Sequence, residues 1–179
     1  MYQTLVPHPD FPPPCHVSLE ARALLQNGGK IRLDFNLAGD LDGIVIPPPV
    51  SSGRADELWT TTCFELFLMP AGQSGYLEFN LSPSSKWAAY GFSEYRSDRR
   101  DLQMAEAPKI HLSRIAGRLT LTGFISLDAV RPDAGIGMSA VLDHGPAGKS
   151  YWAIRHPAGR PDFHHRDCFA ARLDAAKAT

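Results

Sequence analysis

The chain has 179 residues, of which 44% are hydrophobic and 21% charged, and its formal net charge is −1. This length is most simply one domain with enough apolar side chains for a buried core. The balanced charge argues against a nucleic-acid partner, which requires an excess of lysine and arginine on one face. No apolar run approaches the roughly 20 residues of a membrane span, and the first residues lack the features of a signal peptide. A cytoplasmic protein with three reduced cysteines is therefore expected.

The first part of the chain, residues 1–14, is rich in proline and is expected to precede the folded domain. From residue 15 onwards, hydrophobic and polar residues alternate in short runs separated by turn signals, a pattern typical of antiparallel strands. Asn27-Gly28-Gly29 predicts a hairpin turn between the first two runs. The alternating runs begin, in chain order, at Val17, Ile31, Phe64, Leu77, Leu119, Ile136, Tyr151 and Phe169.

Two longer irregular segments interrupt these strands, at residues 47–54 and 93–108. The second contains Arg96, Arg99 and Arg100 among aspartates, and is interpreted as a solvated loop. Nothing in the pattern resembles a βαβ repeat, so a parallel α/β sheet is not expected. The sequence predicts a single all-β domain over residues 15–173, an antiparallel, jelly-roll-like β-sandwich, followed by a frayed tail at 174–179.

The middle of the chain carries a recognisable order of motifs. Residues 56–68 run from a tryptophan-bearing loop into a strand with a glutamate, and residues 75–83 follow as a paired strand ending in Asn-Leu-Ser-Pro. This order resembles the family 9 carbohydrate-binding modules and the wider DOMON superfamily of sugar- and haem-binding β-sandwiches, over roughly residues 16–173. The motifs Trp-Ala-Ile-Arg-His-Pro (152–157) and Pro-Asp-Phe-His-His (161–165) resemble those of small stand-alone bacterial proteins called DOMON-like.

In the family 9 modules, a sugar end lies between two tryptophan rings, and polar side chains bind its hydroxyls. Carried over by position, the resemblance implies Trp59 and Trp152 as the two rings, with Glu65 and Asn80 as polar partners. The expected function is non-catalytic binding of a small ligand, a carbohydrate or sugar derivative, with no metal or other cofactor. The full set of candidate ligand-binding residues is Trp59, Glu65, Asn80, Trp87, Trp152 and Arg155.

A metal-dependent enzyme is the main alternative, because aspartates and histidines cluster near the C-terminal end. Asp162 and His164 would share one side of an extended segment, where they could bind a metal together with Asp143 or His156. The favoured interpretation of the same residues is a hydrogen-bonded lock that holds a long loop.

Three further alternatives stay open at this point. Glu65 and Glu78 could serve as the paired carboxylates of a glycosidase, which requires a specific separation. Haem could be bound through Met69 with His164 or His165, as in some DOMON relatives. A protein-interaction module would instead expose an apolar sheet face.

Overall fold

The computed structural model describes residues 1–127 and 130–175, and these form fourteen strands and four short 3-10 turns. The strands are β1 (Gln3–Pro7), β2 (Val17–Leu25), β3 (Lys30–Gly39), β4 (Gly53–Arg54), β5 (Cys63–Met69), β6 (Tyr76–Leu81), β7 (Lys86–Phe92), β8 (Arg100–Asp101), β9 (Lys109–Ile115), β10 (Arg118–Ser126), β11 (Gly135–Asp143), β12 (Lys149–Ala153), β13 (Ala171–Arg172) and β14 (Asp174–Ala175). The turns are Asn27–Gly29, Leu58–Thr60, Gly145–Ala147 and Arg166–Cys168. Among the described residues, no helix has the length and apolar character needed to cross a membrane.

The strands form two sheets that share strand β1. Sheet I contains, in spatial order, β1, β2, β3, β10 and β9, and β14 pairs with β2. Sheet II contains β4, β7, β6, β5, β11, β12 and β1, with β8 beside β7 and β13 beside β11. All long neighbouring strands are antiparallel, including the β2–β3 hairpin at Asn27–Gly29. The predicted antiparallel β-sandwich is therefore confirmed.

Strand β1 lies inside the segment that the sequence analysis placed before the domain. Its first half, Gln3 to Leu5, pairs with β2 of sheet I, and Val6 and Pro7 pair with β12 of sheet II. Only Leu5 of this strand is fully buried. A single buried residue in a proline-rich segment gives no alternation of hydrophobic and polar residues by which to recognise a strand. At the other end, Asp174–Ala175 pairs with β2, whereas the rest of the predicted tail lies outside the described residues.

The main core lies between the two sheets. Alternate residues of each strand point into it, as the period of two requires. Phe35 of sheet I and Phe64 of sheet II meet there with ring centroids 5.1 Å apart. Both Trp87 and Trp152 belong to this core.

The outer face of sheet II is also buried, beneath two other segments of the chain. A second apolar cluster there includes Phe67, Tyr90 and Val141 from the sheet, Leu58 from the 3-10 turn and Phe163 from the loop that follows β12. Strand β7 is consequently buried on both faces and lacks alternation, while nearly every residue of β9 is exposed. These two patterns explain why the sequence analysis missed both strands.

Candidate functional site

A cleft of about 610 Å³ lies over the outer face of sheet II, between the sheet and the segments that cover it. We call it the outer-face cleft. It brings together aromatic, carboxyl and basic side chains, the combination that polar ligands require. It is lined by Trp59, Thr60, Glu65, Phe67, Glu78, Tyr90, Phe92, Arg96, Arg99, Val141, Lys149, Tyr151, Pro161, Phe163 and His164.

A second cavity, of about 750 Å³, opens at one end of the sandwich. Its lining is mainly apolar and includes Leu68, Leu77 and Met104. All three side chains pack against the main core or belong to it. Because this cavity offers a ligand mainly apolar core side chains, the outer-face cleft is the better candidate site, although its volume is smaller.

Two buried carboxyl groups, Glu65 and Glu78, lie in the cleft. They stand on the adjacent strands β5 and β6, where Glu65 is opposite Asn80 and Glu78 is opposite Phe67. Their exposed fractions are only 3% and 5%. Ser139 donates a hydrogen bond to Glu65 (3.1 Å), and the Asn80 amide donates to Glu78 (2.7 Å). Each carboxyl group is thus held in a fixed orientation by a neighbouring side chain.

Burial raises the pKa of both carboxyl groups. For Glu65 the proximity of Glu78 adds to burial and brings the pKa to about 8, although the hydrogen bond from Ser139 opposes the rise. For Glu78 burial is again the largest cause of the raised pKa, opposed by Asn80, Arg96 and Arg99. Two carboxylates this close in a poorly solvated site disfavour simultaneous ionisation. At neutral pH the pair therefore offers both a protonated carboxyl donor and acceptor oxygens to a ligand.

His164 lies beside this pair, with its ring edge-on to those of Phe67, Tyr76 and Phe92. The Tyr76 hydroxyl accepts the backbone N–H of Arg96 and lies 2.8 Å from His164 Nδ1. Burial, reinforced by Arg96, lowers the pKa of His164 to about 4, so the ring is neutral at neutral pH. The other ring nitrogen of His164, Nε2, lies 3.8 Å from Glu78 Oε2.

A clamp of charged and hydroxyl groups holds the covering loops together. Asp162 accepts hydrogen bonds from Arg96 (2.8 Å), Tyr95 (2.5 Å) and the backbone N–H of His164 (3.2 Å). Burial alone would raise the pKa of Asp162, but the hydrogen bonds from Tyr95 and Arg96 outweigh it and lower the pKa. Asp162 thus takes part in a lock, but its side-chain partners are Arg96 and Tyr95, and His164 contributes its backbone N–H rather than its ring.

The predicted ligand-binding residues separate into two groups. Trp59 and Glu65 line the cleft, and Asn80 lies fully buried behind it as the hydrogen-bond donor to Glu78. Trp152, by contrast, is 2% exposed, belongs to the main core and donates its indole N–H to Ser150. Its ring therefore lies in the core and not in the outer-face cleft.

Trp87 and Arg155 also lie outside the cleft lining. Trp87 is a core residue on the inner face of sheet II. Arg155 is exposed on the segment after β12. In place of Trp152, the same strand contributes its neighbour Tyr151 to the cleft.

The four candidate metal ligands are engaged in separate contacts. Asp143 accepts from Thr61 and from the backbone N–H of Gly145, and His156 Nε2 is hydrogen-bonded to the Val6 carbonyl. Asp162 and His164 take part in the clamp described above. Within residues 1–127 and 130–175, no three histidine, cysteine, aspartate or glutamate side chains come together as metal ligands would.

Several cleft residues had escaped the sequence analysis. Tyr90 lies in the unbroken apolar run of β7, which carries no alternation. Arg96 and Arg99 were interpreted as parts of a solvated loop, and their approach to Glu78 depends on long-range folding. Tyr151 lies in a predicted strand, but its hydrophobic neighbours Trp152 and Ala153 give no sequence signal for the face on which it lies.

No protein-family model and no curated protein matches this sequence. Among solved structures, a candidate carbohydrate-binding protein from Bacteroides uniformis aligns with a TM-score of 0.67 and 20% identity, over 98% of this chain and 86% of the other. A family 9 carbohydrate-binding module from Caldicellulosiruptor kristjanssonii bound to glucose aligns with a TM-score of 0.56 and 7% identity, over 92% and 79%. The same type of module bound to cellotriose gives 0.50 and 9%, over 89% and 74%. The chain therefore has the fold of the family 9 carbohydrate-binding modules.

Proposed function

We propose that the protein binds a small carbohydrate or sugar derivative in the outer-face cleft and does not transform it. The observation that carries this proposal is the cleft itself, where a partly exposed Trp59 ring lies at the same site as the buried Glu65 and Glu78 carboxyl groups. The C–H face of a sugar packs on an aromatic ring, while fixed donors and acceptors bind its hydroxyls. Sugar ligands in two neighbours of the same fold add support.

The proposed binding residues differ in part from the set inferred from the sequence. Trp59 and Glu65 remain, Asn80 acts by orienting Glu78, and Tyr151 replaces the core residues Trp152 and Trp87 as an aromatic wall. Tyr90 is held in place by its hydroxyl, which donates to Asp56 (2.6 Å). The buried Tyr90 ring meets the Trp59 ring edge to face, with centroids 6.5 Å apart, and so helps to fix the position of Trp59.

We include two finer assignments in the proposal. The motifs at 152–157 and 161–165 support a relationship to the DOMON-like proteins. Cys15, Cys63 and Cys168 are all free thiols, which supports a reducing, cytoplasmic location.

Changing Trp59 to alanine tests the proposal. A thermal-shift screen against neutral mono- and disaccharides first identifies a binder, since a ligand at about 100 times its dissociation constant stabilises the folded state by about 2.7 kcal/mol. We expect Trp59→Ala to weaken that binder by roughly 30-fold, because the ring supplies the stacking surface. Titration calorimetry measures the change.

Tyr2→Ala is the matched control, since Tyr2 is an exposed aromatic residue just before β1, and its ring contacts Arg22 of β2. The Tyr2→Ala variant should bind the same sugar with the affinity of the unmodified protein. If no sugar in the screen shifted the melting temperature, or if Trp59→Ala bound as tightly as the control, the proposed function would be wrong.

A further inference from the structure

The outer-face cleft contains three basic side chains, Arg96, Arg99 and Lys149. Arg96 is neutralised by Asp162, with 2.8 Å between Nη2 and Oδ1. For Arg99 and Lys149, no carboxylate of the described residues lies within 4.0 Å. Two cations in the cleft therefore have no close protein counter-ion in this part of the chain.

The positions of these two cations are constrained by the fold. The Arg99 guanidinium carbon lies 4.9 Å from the centroid of the Tyr90 ring, which orients the planar group at the β7 side of the cleft. Lys149 begins β12 at the other side of the cleft, opposite Asp143 in the β11–β12 ladder. The Asp143 carboxylate instead accepts hydrogen bonds from Thr61 and Gly145.

The carboxyl pair does not balance these charges. Burial raises the pKa of both Glu65 and Glu78, so at neutral pH the pair carries fewer than two negative charges. Arg96 and Asp162 cancel each other. With Arg99 and Lys149 both charged, the cleft has an excess of positive charge, even though the chain as a whole has a net charge of −1.

We propose that the ligand of this cleft is an acidic sugar, whose hydroxyls bind the Glu65–Glu78 pair and whose anionic group, a carboxylate or a phosphate, binds Arg99. This inference rests on the proposed function and names the ligand class for the same site. The planar guanidinium presents two parallel N–H donors that match either anion. Lys149 attracts the same anion from the other side of the cleft. Because its ammonium group is flexible, it does not require a particular orientation of the anion.

The test compares matched neutral and acidic sugars by titration calorimetry. Glucose is paired with glucuronate and glucose-6-phosphate, galactose is paired with galacturonate, and inorganic phosphate is titrated alone. We expect at least one acidic sugar to bind about tenfold more tightly than its neutral counterpart, as one charge-assisted hydrogen bond allows. Whether uronate or sugar phosphate gives the larger gain identifies the source of the anion. The preference should decrease at higher salt, because both cations reach solvent.

Arg99→Gln is the decisive variant, since Arg99 is exposed and outside the core. It should remove the tenfold preference, so that the acidic sugar binds no more tightly than its neutral counterpart. Lys149→Gln should reduce the preference a few-fold by the same logic. Arg114→Gln is the matched control, because Arg114 is an exposed arginine on β9 of sheet I, paired with Asp42. The control should bind every ligand as the unmodified protein does.

The outcomes separate the two proposals. Neutral sugars binding as tightly as acidic ones, or Arg99→Gln retaining the preference, would overturn the acidic-sugar inference while the proposed function stands. Inorganic phosphate binding as tightly as glucose-6-phosphate would also overturn it, because the sugar ring would then contribute nothing. Failure of all sugars, neutral and acidic, would overturn the proposed function and the inference with it.

Discussion

Replacing Glu65 with glutamine should make the stability of the protein far less dependent on pH. Burial and Glu78 raise the pKa of Glu65 to about 8 in the folded state, from an ordinary value of 4.5. The folded protein therefore binds a proton more tightly than the unfolded chain does. The resulting stabilisation is complete below about pH 4.5 and is lost as the pH rises through 8, an effect on the order of 5 kcal/mol.

Glutamine keeps the volume of Glu65 and an oxygen that can accept the hydrogen bond from Ser139, but it cannot ionise. We expect Glu65→Gln to match the unmodified protein near pH 5 and to exceed its stability near pH 9. Urea unfolding at a series of pH values measures both curves. Glu78 remains in the variant with its own raised pKa, so a smaller residual slope is expected.

Glu20→Gln is the matched control, because Glu20 is exposed on β2 of sheet I. The same chemical change there should leave the shape of the pH curve unaltered. A Glu65→Gln variant that lost stability with rising pH as steeply as the unmodified protein would mean that Glu65 is ionised in the folded state. The conclusion that the Glu65–Glu78 pair holds a proton at neutral pH would then be wrong.

Gly137→Ala should destabilise the protein and weaken ligand binding together. Gly137 lies on β11 opposite Phe67, directly beneath the loop that contains His164. A Cβ atom at this position would approach the backbone carbonyl oxygen of Cys168 to 2.8 Å, so the loop would have to move. We expect a loss of about 1–3 kcal/mol in unfolding free energy, as for other overpacked sites. Phe163 and His164 would be displaced with the loop, and the cleft would lose one wall.

Gly135→Ala provides a control two residues earlier, on the same strand and the same face. A Cβ there meets its nearest atoms at 3.8 Å, an ordinary contact. We expect its stability and sugar affinity to stay close to those of the unmodified protein. Thermal unfolding and calorimetry measure both variants. Equal behaviour of the two alanine variants would show that the loop adapts to the added carbon at no cost.

The sequence was sufficient to place Glu65 correctly relative to the core, and insufficient to show that it is buried. Alternation indicated that Glu65 points away from Phe64 and Leu66, and that Glu78 and Asn80 share a face. That face was expected to be an ordinary polar surface or a ligand site. Its burial results from the 3-10 turn and the C-terminal loop, whose positions depend on contacts such as Arg96–Asp162, between residues 66 positions apart in the chain.

The tryptophans show a different limit of the sequence. Tyr151, Trp152 and Ala153 are all hydrophobic, so the alternation of β12 does not reveal which face looks inward. The register with β11, where Trp152 pairs with Ala140, decides it. Trp87 lies in β7, whose neighbouring residues are apolar on both faces, and the same ambiguity applies.

Strand β1, shared between the two sheets, has a consequence for the order of folding. The Val6 carbonyl and His156 are hydrogen-bonded although they are 150 positions apart, and the His8 backbone N–H donates to the carbonyl of Tyr151. Contacts of such high sequence separation close the longest loops and slow the folding of all-β proteins. During synthesis, β1 leaves the ribosome long before its partner β12, and the two strands can pair only after β12 has been made. The strand that carries Tyr151 is thus secured late, and the complete cleft exists only after these distant segments have met.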